Sequence, residues 1–296
     1  VLVTPEMAKK RPDLRGLVGE KLTVIAWIWA RTVRSPNPAF SHVQVPLAST
    51  FILSSKSGKE AFVTASVSND TYEFDAAIGK PTATAAAGTK ANGRGANFRC
   101  ILSDAPISAD YIRAEAQAGR MGQRLMAIVA EGPRGRVFLG PQPDAEDIAK
   151  SAEPSWKPDV EFFQQALGFR VGNYGMRQWS DLFTPRQLVA LDTLSDLVIG
   201  ARGRVREDAL ASGLSDDGVP FEQGGRGATA YADAVSVYLA FLVSQVANHS
   251  STICGWNHPN TQMRSVFSRQ AIQMTWDFAE ANVFSDSSGS YANLYE

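Results

Sequence analysis

Residues 22–33 constrain the fold of this chain more strongly than any other stretch. Their sequence, LTVIAWIWARTV, presents apolar side chains in every direction, so the segment has to be buried on all sides of a globular protein. It fits either a buried strand or a buried helix that leads into a strand, because periodicity does not decide between them. The prolines of Ser-Pro-Asn-Pro at residues 35–38 force a turn directly afterwards.

The rest of the first half is typical of antiparallel β structure. Residues 43–77 are rich in Val, Thr, Phe and Tyr, and polar turns interrupt them. Residues 125–130 and 136–139 flank Glu-Gly-Pro-Arg-Gly, a pattern that predicts a hairpin. Residues 76–95 are mainly Ala, Gly, Thr and Lys, and we interpret them as a flexible surface loop. Ser108 has the position of an N-cap for a helix that ends near Gly119.

The second half is predicted to be helical. Thr184-Pro-Arg-Gln is a strong helix start, with Thr as N-cap, Pro at the first helical position and Gln at the third. Residues 228–248 repeat large apolar side chains at spacings of three and four, which predicts a long helix. A shorter helix is expected over residues 270–281, before Ser-Asp-Ser-Ser-Gly-Ser interrupts it at 285–290.

These patterns favour an α+β fold in which an N-terminal antiparallel β module precedes a C-terminal helical region. A length of 296 residues suggests about two domains. The proline-rich stretch between residues 141 and 158 is the best boundary. We therefore predict an arm or linker over residues 1–20, a β-rich basic module over 21–145 and a mainly helical acidic module over 146–296.

Charge is distributed unevenly along the chain. Residues 1–150 contain 19 Lys and Arg against 14 Asp and Glu, whereas residues 151–296 contain 10 against 16. A basic half suggests a polyanionic partner, although a solvated surface has the same composition. Arginine, with 20 of the 29 basic residues, suits phosphate contacts. The candidate contacts to such a polyanion are Arg31, Arg34, Arg99, Arg113, Arg120, Arg124, Arg134 and Arg136.

Several classes of protein and site are disfavoured. Two cysteines make no disulfide framework, so a reducing compartment, the cytoplasm, is expected. The longest apolar stretch, residues 22–30, is too short to span a bilayer, and no signal peptide opens the chain. The first residue is Val1 rather than Met, which allows the chain to be a segment of a longer polypeptide. The motifs of P-loop nucleotide sites, of α/β-hydrolase nucleophiles and of zinc proteases are missing from the sequence.

Two short segments have the shape of zinc-ribbon knuckles but lack the ligands. Ser35-Pro-Asn-Pro-Ala-Phe40 is a proline turn, and Cys100-Ile-Leu-Ser103 has C-x-x-C spacing with a single thiol. A zinc site needs four thiolate, imidazole or carboxylate ligands, so Ser35, Phe40 and Ser103 cannot complete one. A zinc-ribbon fold at these segments would therefore be stabilised by packing rather than by a metal ion.

A second candidate metal site is formed by His249, Cys254 and His258, which lie close in sequence. Three ligands are one short of a closed structural zinc site.

Five stretches resemble one known family. They are IAWIWARTVRSPNP, YIRAEAQAGRMGQRLMAIVAEGPRGRVFL, NYGMRQWSDLFTPRQLVAL, GATAYADAV and SRQAIQMTWDFAEANVFSDSSG. The chain is similar, from about residue 22 to about residue 289, to the large zinc-ribbon-containing adenine-specific DNA methylases. These bacterial proteins occur in restriction-modification-like and phage-defence-like gene neighbourhoods. The family has cysteines at the positions of Ser35, Phe40, Cys100 and Ser103, so the resemblance implies a degenerate ribbon that has lost zinc.

The resemblance also implies a function. In the family the S-adenosylmethionine loop precedes the matched region and the Asp-Pro-Pro-Tyr loop follows it. This chain would correspond to the segment between the two loops, which commonly recognises the DNA target. It would hold no catalytic residue and no cofactor itself, while the full-length protein would use S-adenosylmethionine. The resemblance thus identifies the polyanionic partner as double-stranded DNA and the eight arginines named above as its candidate contacts. Residues 90–136, with eight Lys and Arg against four Asp and Glu, suit contact with DNA phosphates.

Two alternatives stay open at this stage. The acidic helical half could dock the remaining parts of the methylase or other defence proteins, without any DNA contact or membrane. An enzyme of another class could use Asp277, Glu280 and Asp286, although we favour the interpretation of those carboxylates as exposed helix-end charges and caps. Trp27 and Trp29 are expected in the core rather than in base stacking, as are Trp179 and Trp276.

Overall fold

A computed structural model describes residues 1–91, 95–163, 168–268 and 271–291. The strands in this part of the chain are β1 (Val24–Arg34), β2 (Gln44–Leu47), β3 (Ile52–Ser54), β4 (Ala61–Ser68), β5 (Thr71–Ile78), β6 (Phe98–Arg99), β7 (Pro106–Ile107), β8 (Gly122–Gly132), β9 (Gly135–Leu139), β10 (Gly255–Asn257), β11 (Gln262–Arg264) and β12 (Asp277–Ala281). The α-helices are α1 (Pro5–Lys10), α2 (Ala83–Ala87), α3 (Ala109–Gln117), α4 (Ala145–Lys150), α5 (Pro185–Ala211) and α6 (Ala228–His249). The α+β class predicted from the sequence is confirmed.

Strand β1 is the centre of the main sheet, and it resolves the ambiguity over residues 22–33. One edge of β1 pairs with β8, and the other edge pairs first with β12 and then with β2, all antiparallel. Its two faces pack into different cores, with Ile28 in one and Trp29 in the other. Both edges and both faces are therefore occupied, which is why this segment is apolar in every direction.

The predicted helix over residues 270–281 is wrong where the structure describes it. Residues Asp277–Ala281 form β12, whose Ala279 lies opposite Ile28 of β1. Four of the five residues in the strand are buried, because β1 and the core beneath it cover them. The free edge of β1 requires a partner for its amides and carbonyls, and this requirement outweighs the local pattern. As a result, residues on both sides of the predicted boundary near 145 share one sheet.

Several local predictions are confirmed. Strands β8 and β9 form the expected hairpin around residues 132–135. Ser108 caps α3 by accepting from the amide of Tyr111. Thr184 caps α5 in a capping box with Gln187, and α6 covers the predicted long helix.

Two expectations need adjustment. Helix α2 lies inside the predicted surface loop. The predicted arm or linker over residues 1–20 is folded, and its Val3, Ala8 and Leu14 pack beside the sheet.

Helices α5 and α6 form an antiparallel hairpin with an exposed apolar side. Leu194 packs against Val246, and Arg206 donates to the hydroxyl of Thr229 near the other end of the pair. Large side chains nevertheless remain exposed, namely Leu197, Ile199, Tyr231, Val237, Tyr238 and Phe241. Helix α6 also has the length and apolar composition of a membrane-spanning helix, a property that core helices of globular proteins share. The apolar segment with the length of a membrane span is therefore α6, not residues 22–30.

Candidate functional site

Five of the eight predicted DNA-contacting arginines are paired with acidic side chains. The pairs are Arg99–Asp104 at 2.9 Å, Arg113–Asp110 at 2.7 Å, Arg120–Glu115 at 2.6 Å, Arg124–Glu146 at 3.1 Å and Arg136–Glu131 at 3.7 Å. Exposed ion pairs, such as Arg99–Asp104 and Arg113–Asp110, contribute at most about 1 kcal/mol each. A phosphate can compete for these exposed arginines, whereas Arg120 neutralises Glu115, which is buried.

Arg31 is buried and has a structural position. Its Nε donates to the carbonyl oxygen of Thr275 at 2.8 Å, and its Nη2 donates to that of Thr252 at 2.9 Å. The guanidinium also lies over the ring of Phe278, 5.4 Å from the ring centroid. Burial lowers the pKa of Arg31 to about 10. These contacts tie β1 to two segments from the distant second half of the chain.

Arg34 and Arg134 are the exposed members of the set for which the described residues supply no ion pair. Arg34 ends β1, close to the Gly122 end of β8. Arg134 lies in the turn that follows β8 at its other end. The structure therefore places these two cations at opposite ends of the β1–β8 ladder rather than in one cluster.

Three of the four knuckle positions meet in space. The hydroxyl oxygen of Ser35 lies 3.3 Å from the sulfur of Cys100, and both side chains are buried. Burial raises the pKa of the Cys100 thiol, but hydrogen bonds from Ser103, Ser35 and the amides of residues 102 and 103 outweigh burial and leave the pKa below its ordinary value. Phe40 ends a short 3₁₀ helix, Pro38–Phe40, and is half-buried.

The backbone around Cys100 forms a tight turn between β6 and β7. The Cys100 amide donates to the carbonyl of Ala105, and the Asp104 amide donates to the carbonyl of Cys100, both at 2.8 Å. Asp104 has a φ of +56°, the left-handed conformation that closes such turns. Two hydroxyls and one thiol do not fit zinc, which requires four deprotonated soft, imidazole or carboxylate ligands.

The other metal candidate is dispersed. Cys254 is buried against Ser251, His249 bonds to the carbonyl of Gln245, and His258 bonds to the hydroxyl of Ser55. Within residues 1–91, 95–163, 168–268 and 271–291, no group of three His, Cys, Asp or Glu side chains could hold a metal ion. The proximity of these residues in sequence therefore does not bring their ligand atoms together.

A cleft beside β1 contains features that sequence reasoning did not find. It has a volume of about 590 Å³ and lies between the sheet and the helices α4 and α5. Trp27 and Trp29 of β1 line it, together with Val283 and the first turn of α5. We call this space the tryptophan cleft. Trp29 packs beside Phe278, as expected for a core residue, but its indole also borders the cleft.

A buried ion pair borders the tryptophan cleft. Arg186 Nε donates to Glu280 Oε1 at 2.7 Å, and Nη2 donates to Oε2 at 2.6 Å. The guanidinium carbon lies 4.4 Å from the centroid of the Trp29 ring, a cation–π distance. Burial raises the pKa of Glu280, and the charge and hydrogen bonds of Arg186 oppose that rise. The bidentate geometry fixes both side chains against the ring.

From the sequence, Asp277, Glu280 and Asp286 are interpreted as exposed charges at a helix end. This interpretation is wrong for Glu280 and Asp277. Glu280 is 6% exposed within β12 and is paired with Arg186. Asp277, at the start of the same strand, accepts from the amide of Ser49 at 2.8 Å. The predicted helix start at Thr184 is confirmed, and it places Arg186 in the first turn of α5. No local signal indicates its partner, which lies 94 residues away in sequence.

Neither a family model, nor a curated protein, nor a solved structure matches this chain.

Proposed function

We propose that this chain is the central DNA-recognition and scaffold segment of an S-adenosylmethionine-dependent adenine-specific DNA methyltransferase. The five resembling stretches support the proposal, and one geometric observation carries it. Ser35 and Cys100, which are 65 residues apart, meet at a buried point beside Ser103. The resemblance assigns metal-binding cysteines of a zinc ribbon to these same positions, and ligands of one metal have to lie together.

The ribbon, in this proposal, is retained without its metal. The tight turn at Cys100 and the hydrogen bonds to its sulfur are what a metal-free knuckle requires. Apolar packing around Phe98, Ile107 and Val45 stabilises the region where zinc would otherwise do so. The degenerate ribbon would belong to the β-rich stretch over residues 21–145.

Restoring the ligands tests the ribbon directly. The triple variant Ser35→Cys, Phe40→Cys and Ser103→Cys adds three thiols to Cys100. We expect about one Zn²⁺ per chain, together with a higher melting temperature when zinc is present. The matched control is the same variant with Cys100→Ser, which should bind zinc much more weakly. Equal zinc binding by both proteins, or none by either, would contradict a ribbon at this position.

DNA binding by the segment would depend on phosphate contacts. Arg34 and Arg134 are the predicted contacts without a competing carboxylate among the described residues. The paired arginines with exposed partners, such as Arg99 and Arg113, would exchange a carboxylate for a phosphate. S-adenosylmethionine and adenine would be held by the loops that the resemblance places on either side of this region. The chain contains neither loop motif, so we assign no step of methyl transfer to its residues.

Salt-dependent binding to duplex DNA tests the proposed function. We expect affinity to fall steeply as salt increases, and Arg34→Ala or Arg134→Ala to reduce the salt slope by about one each. Arg113→Ala, Arg120→Ala and Arg124→Ala together should weaken binding further. Arg206→Ala is a matched control, because this arginine pairs with Asp216 in the acidic half. Failure to bind duplex at low salt, or affinity that does not respond to salt, would refute the proposal.

The α5–α6 hairpin favours a second candidate, a protein-interaction module without DNA contact. Its exposed apolar side includes Tyr238 and Phe241. Single exposed apolar residues are common on protein surfaces, whereas a group of them on one side of a helix pair is typical of an interaction site. The remaining part of the methylase or another defence protein would cover it in the cytoplasm. Tyr238→Ser with Phe241→Ser should abolish co-purification with a co-expressed flanking segment while leaving the melting temperature nearly unchanged. Unchanged co-purification would remove this face from consideration.

A further inference from the structure

Three residues that line the tryptophan cleft each have a buried hydrogen-bond donor for which the described part of the chain supplies no partner. The donor atoms are Trp29 Nε1, Arg186 Nη1 and Gln187 Nε2. Across the described residues, the other buried side-chain nitrogen or oxygen atoms that lack a partner are Gln44 Oε1, Arg113 Nε and Glu115 Oε2. Half of these atoms therefore belong to residues of one cleft, and all three are donors. Buried donors are nearly always satisfied in folded proteins, so this concentration requires an explanation.

Reorienting these three side chains among themselves does not satisfy the donors. Gln187 Oε1 accepts from the amide of Thr184 at 2.9 Å, which fixes the orientation of the side-chain amide and leaves Nε2 as the free end. The indole of Trp29 has only a donor. Arg186 already directs Nε and Nη2 to Glu280, so only Nη1 remains. Each missing partner has to be an acceptor that comes from outside these three residues.

The shape and charge of the cleft narrow the choice of ligand. A volume of about 590 Å³ lies within the usual range for small-molecule sites. Its walls are mainly apolar, with Trp27, Ile128 and Val283 beside Trp29. Glu280 neutralises Arg186, so the site offers hydrogen bonds without excess positive charge. An anion would gain little here, whereas a neutral flat molecule could bury its faces and bond at its edge.

We propose that the tryptophan cleft binds a neutral, planar heteroaromatic molecule whose acceptor atoms accept from Trp29, Arg186 and Gln187. This site is separate from the proposed DNA contacts, because its donors belong to β1 and the first turn of α5 rather than to exposed arginines. Because the three donor atoms are buried, ligand binding requires small shifts of the lining side chains that expose them to the cleft. A ligand at this site does not require the chain to belong to a methyltransferase.

Acceptor-only bicyclic compounds are suitable probes. Caffeine, quinoxaline and coumarin are planar and carry acceptors without donors, and indane is a bicyclic control without acceptors. Compounds of this size bind in the millimolar range, so the titration extends to about 5 mM. We expect at least one acceptor compound to shift the Trp29 indole N–H resonance and to bind more tightly than indane. No shift with any of the three, or equal binding of indane, would overturn the proposal.

Two conservative variants test the hydrogen bonds. Trp29→Phe removes the indole N–H but keeps an aromatic ring, and Gln187→Glu removes the amide donor but keeps the oxygen that accepts from Thr184. We expect each variant to bind the best acceptor compound about tenfold more weakly, with indane binding unchanged. Trp156→Phe, at an exposed tryptophan outside the cleft, is the matched control and should bind as the wild type does. Wild-type affinity in both cleft variants would refute the assignment, and their melting temperatures show whether they are folded.

Discussion

The side chains of Arg186 and Glu280 illustrate how a buried charge depends on its partner. Both are largely removed from water, and three short hydrogen bonds join them. A buried ion pair gives little net stabilisation relative to apolar residues, because desolvation opposes the attraction. Removal of one member of the pair destabilises the folded protein far more than replacement of both, since it leaves the other charge buried and unpaired.

Glu280→Ala should lower the free energy of unfolding by about 3–5 kcal/mol, because Arg186 would lose its counter-charge. The double variant Arg186→Met with Glu280→Leu should recover most of this loss, since neither charge is then left unpaired. Urea denaturation at neutral pH measures both. A double variant that is no more stable than Glu280→Ala would show that the loss arises from packing rather than from charge.

Asp277 makes stability depend on pH. Burial raises the pKa of this carboxyl, although hydrogen bonds from Ser49 and the charge of Arg264 oppose the rise. The folded protein therefore retains the proton to higher pH than the unfolded chain does. The resulting stabilisation is complete below the unfolded pKa of about 4 and is lost as the pH rises through the folded pKa.

Asp277→Asn should remove this dependence, because the amide stays neutral and keeps an oxygen for the Ser49 amide. We expect equal stability of variant and wild type near pH 4, and a more stable variant at pH 7. Urea denaturation over this pH range is the measurement. Parallel stability curves for the two proteins would contradict a raised pKa at Asp277.

The stability of helix α5 depends on the hydrogen bonds of its first turn. Thr184 accepts from the amide of Gln187, and Gln187 accepts from the amide of Thr184, so two otherwise unpaired donors are satisfied. Pro185 occupies the first helical position, where its missing N–H has no cost. These three residues also orient Arg186 towards β12.

Thr184→Ala should destabilise the protein by about 1–2 kcal/mol, because the cap bond is buried. Thr184→Ser keeps the hydroxyl that accepts from the Gln187 amide, so it should destabilise the protein much less than Thr184→Ala does. Chemical denaturation of the two variants side by side distinguishes loss of the cap from loss of a methyl group. Equal destabilisation by Ala and Ser would indicate that packing of the methyl group, rather than the cap, is important.

Strand β12 shows the limit of local patterns at the scale of elements. Its sequence, Asp-Phe-Ala-Glu-Ala, contains residues common in helices, and it follows a run that was also interpreted as helical. Pairing with β1 and burial of Phe278 and Ala279 make it a strand. Helix α6 was predictable because its apolar spacing repeats within a helix of 22 residues, whereas β12 has only five residues.

At the scale of the whole molecule, the two halves of the sequence are joined through β1. The strand receives β12 along one edge, and Arg31 donates to carbonyls of Thr252 and Thr275. Residues 21–145 alone would therefore expose an apolar strand edge and a buried arginine without its acceptors. Composition and the prolines near residue 150 do not reveal this connection.

We expect residues 21–145, produced without the rest of the chain, to lack a cooperative unfolding transition and to aggregate. The full chain should instead protect amides of β12 from hydrogen exchange as strongly as those of β1. Circular dichroism on heating and hydrogen–deuterium exchange provide the two measurements. A cooperative transition in the isolated segment, or rapid exchange in β12, would show that the halves fold separately.

The features that could be predicted from the sequence are those that neighbouring residues control. The α+β class, the start of α5 at Thr184, the cap of α3 at Ser108, the β8–β9 hairpin and α6 all arise from capping, turn chemistry and periodicity within short windows. Three other features are visible only in the folded chain: β12 completes the β1 sheet, Ser35 meets Cys100 and Arg186 pairs with Glu280. The contacts join residues from 65 positions apart, as for Ser35 and Cys100, to 255 positions apart, as for Ala26 and Ala281. Their free energy depends on burial and on partners that no local window contains.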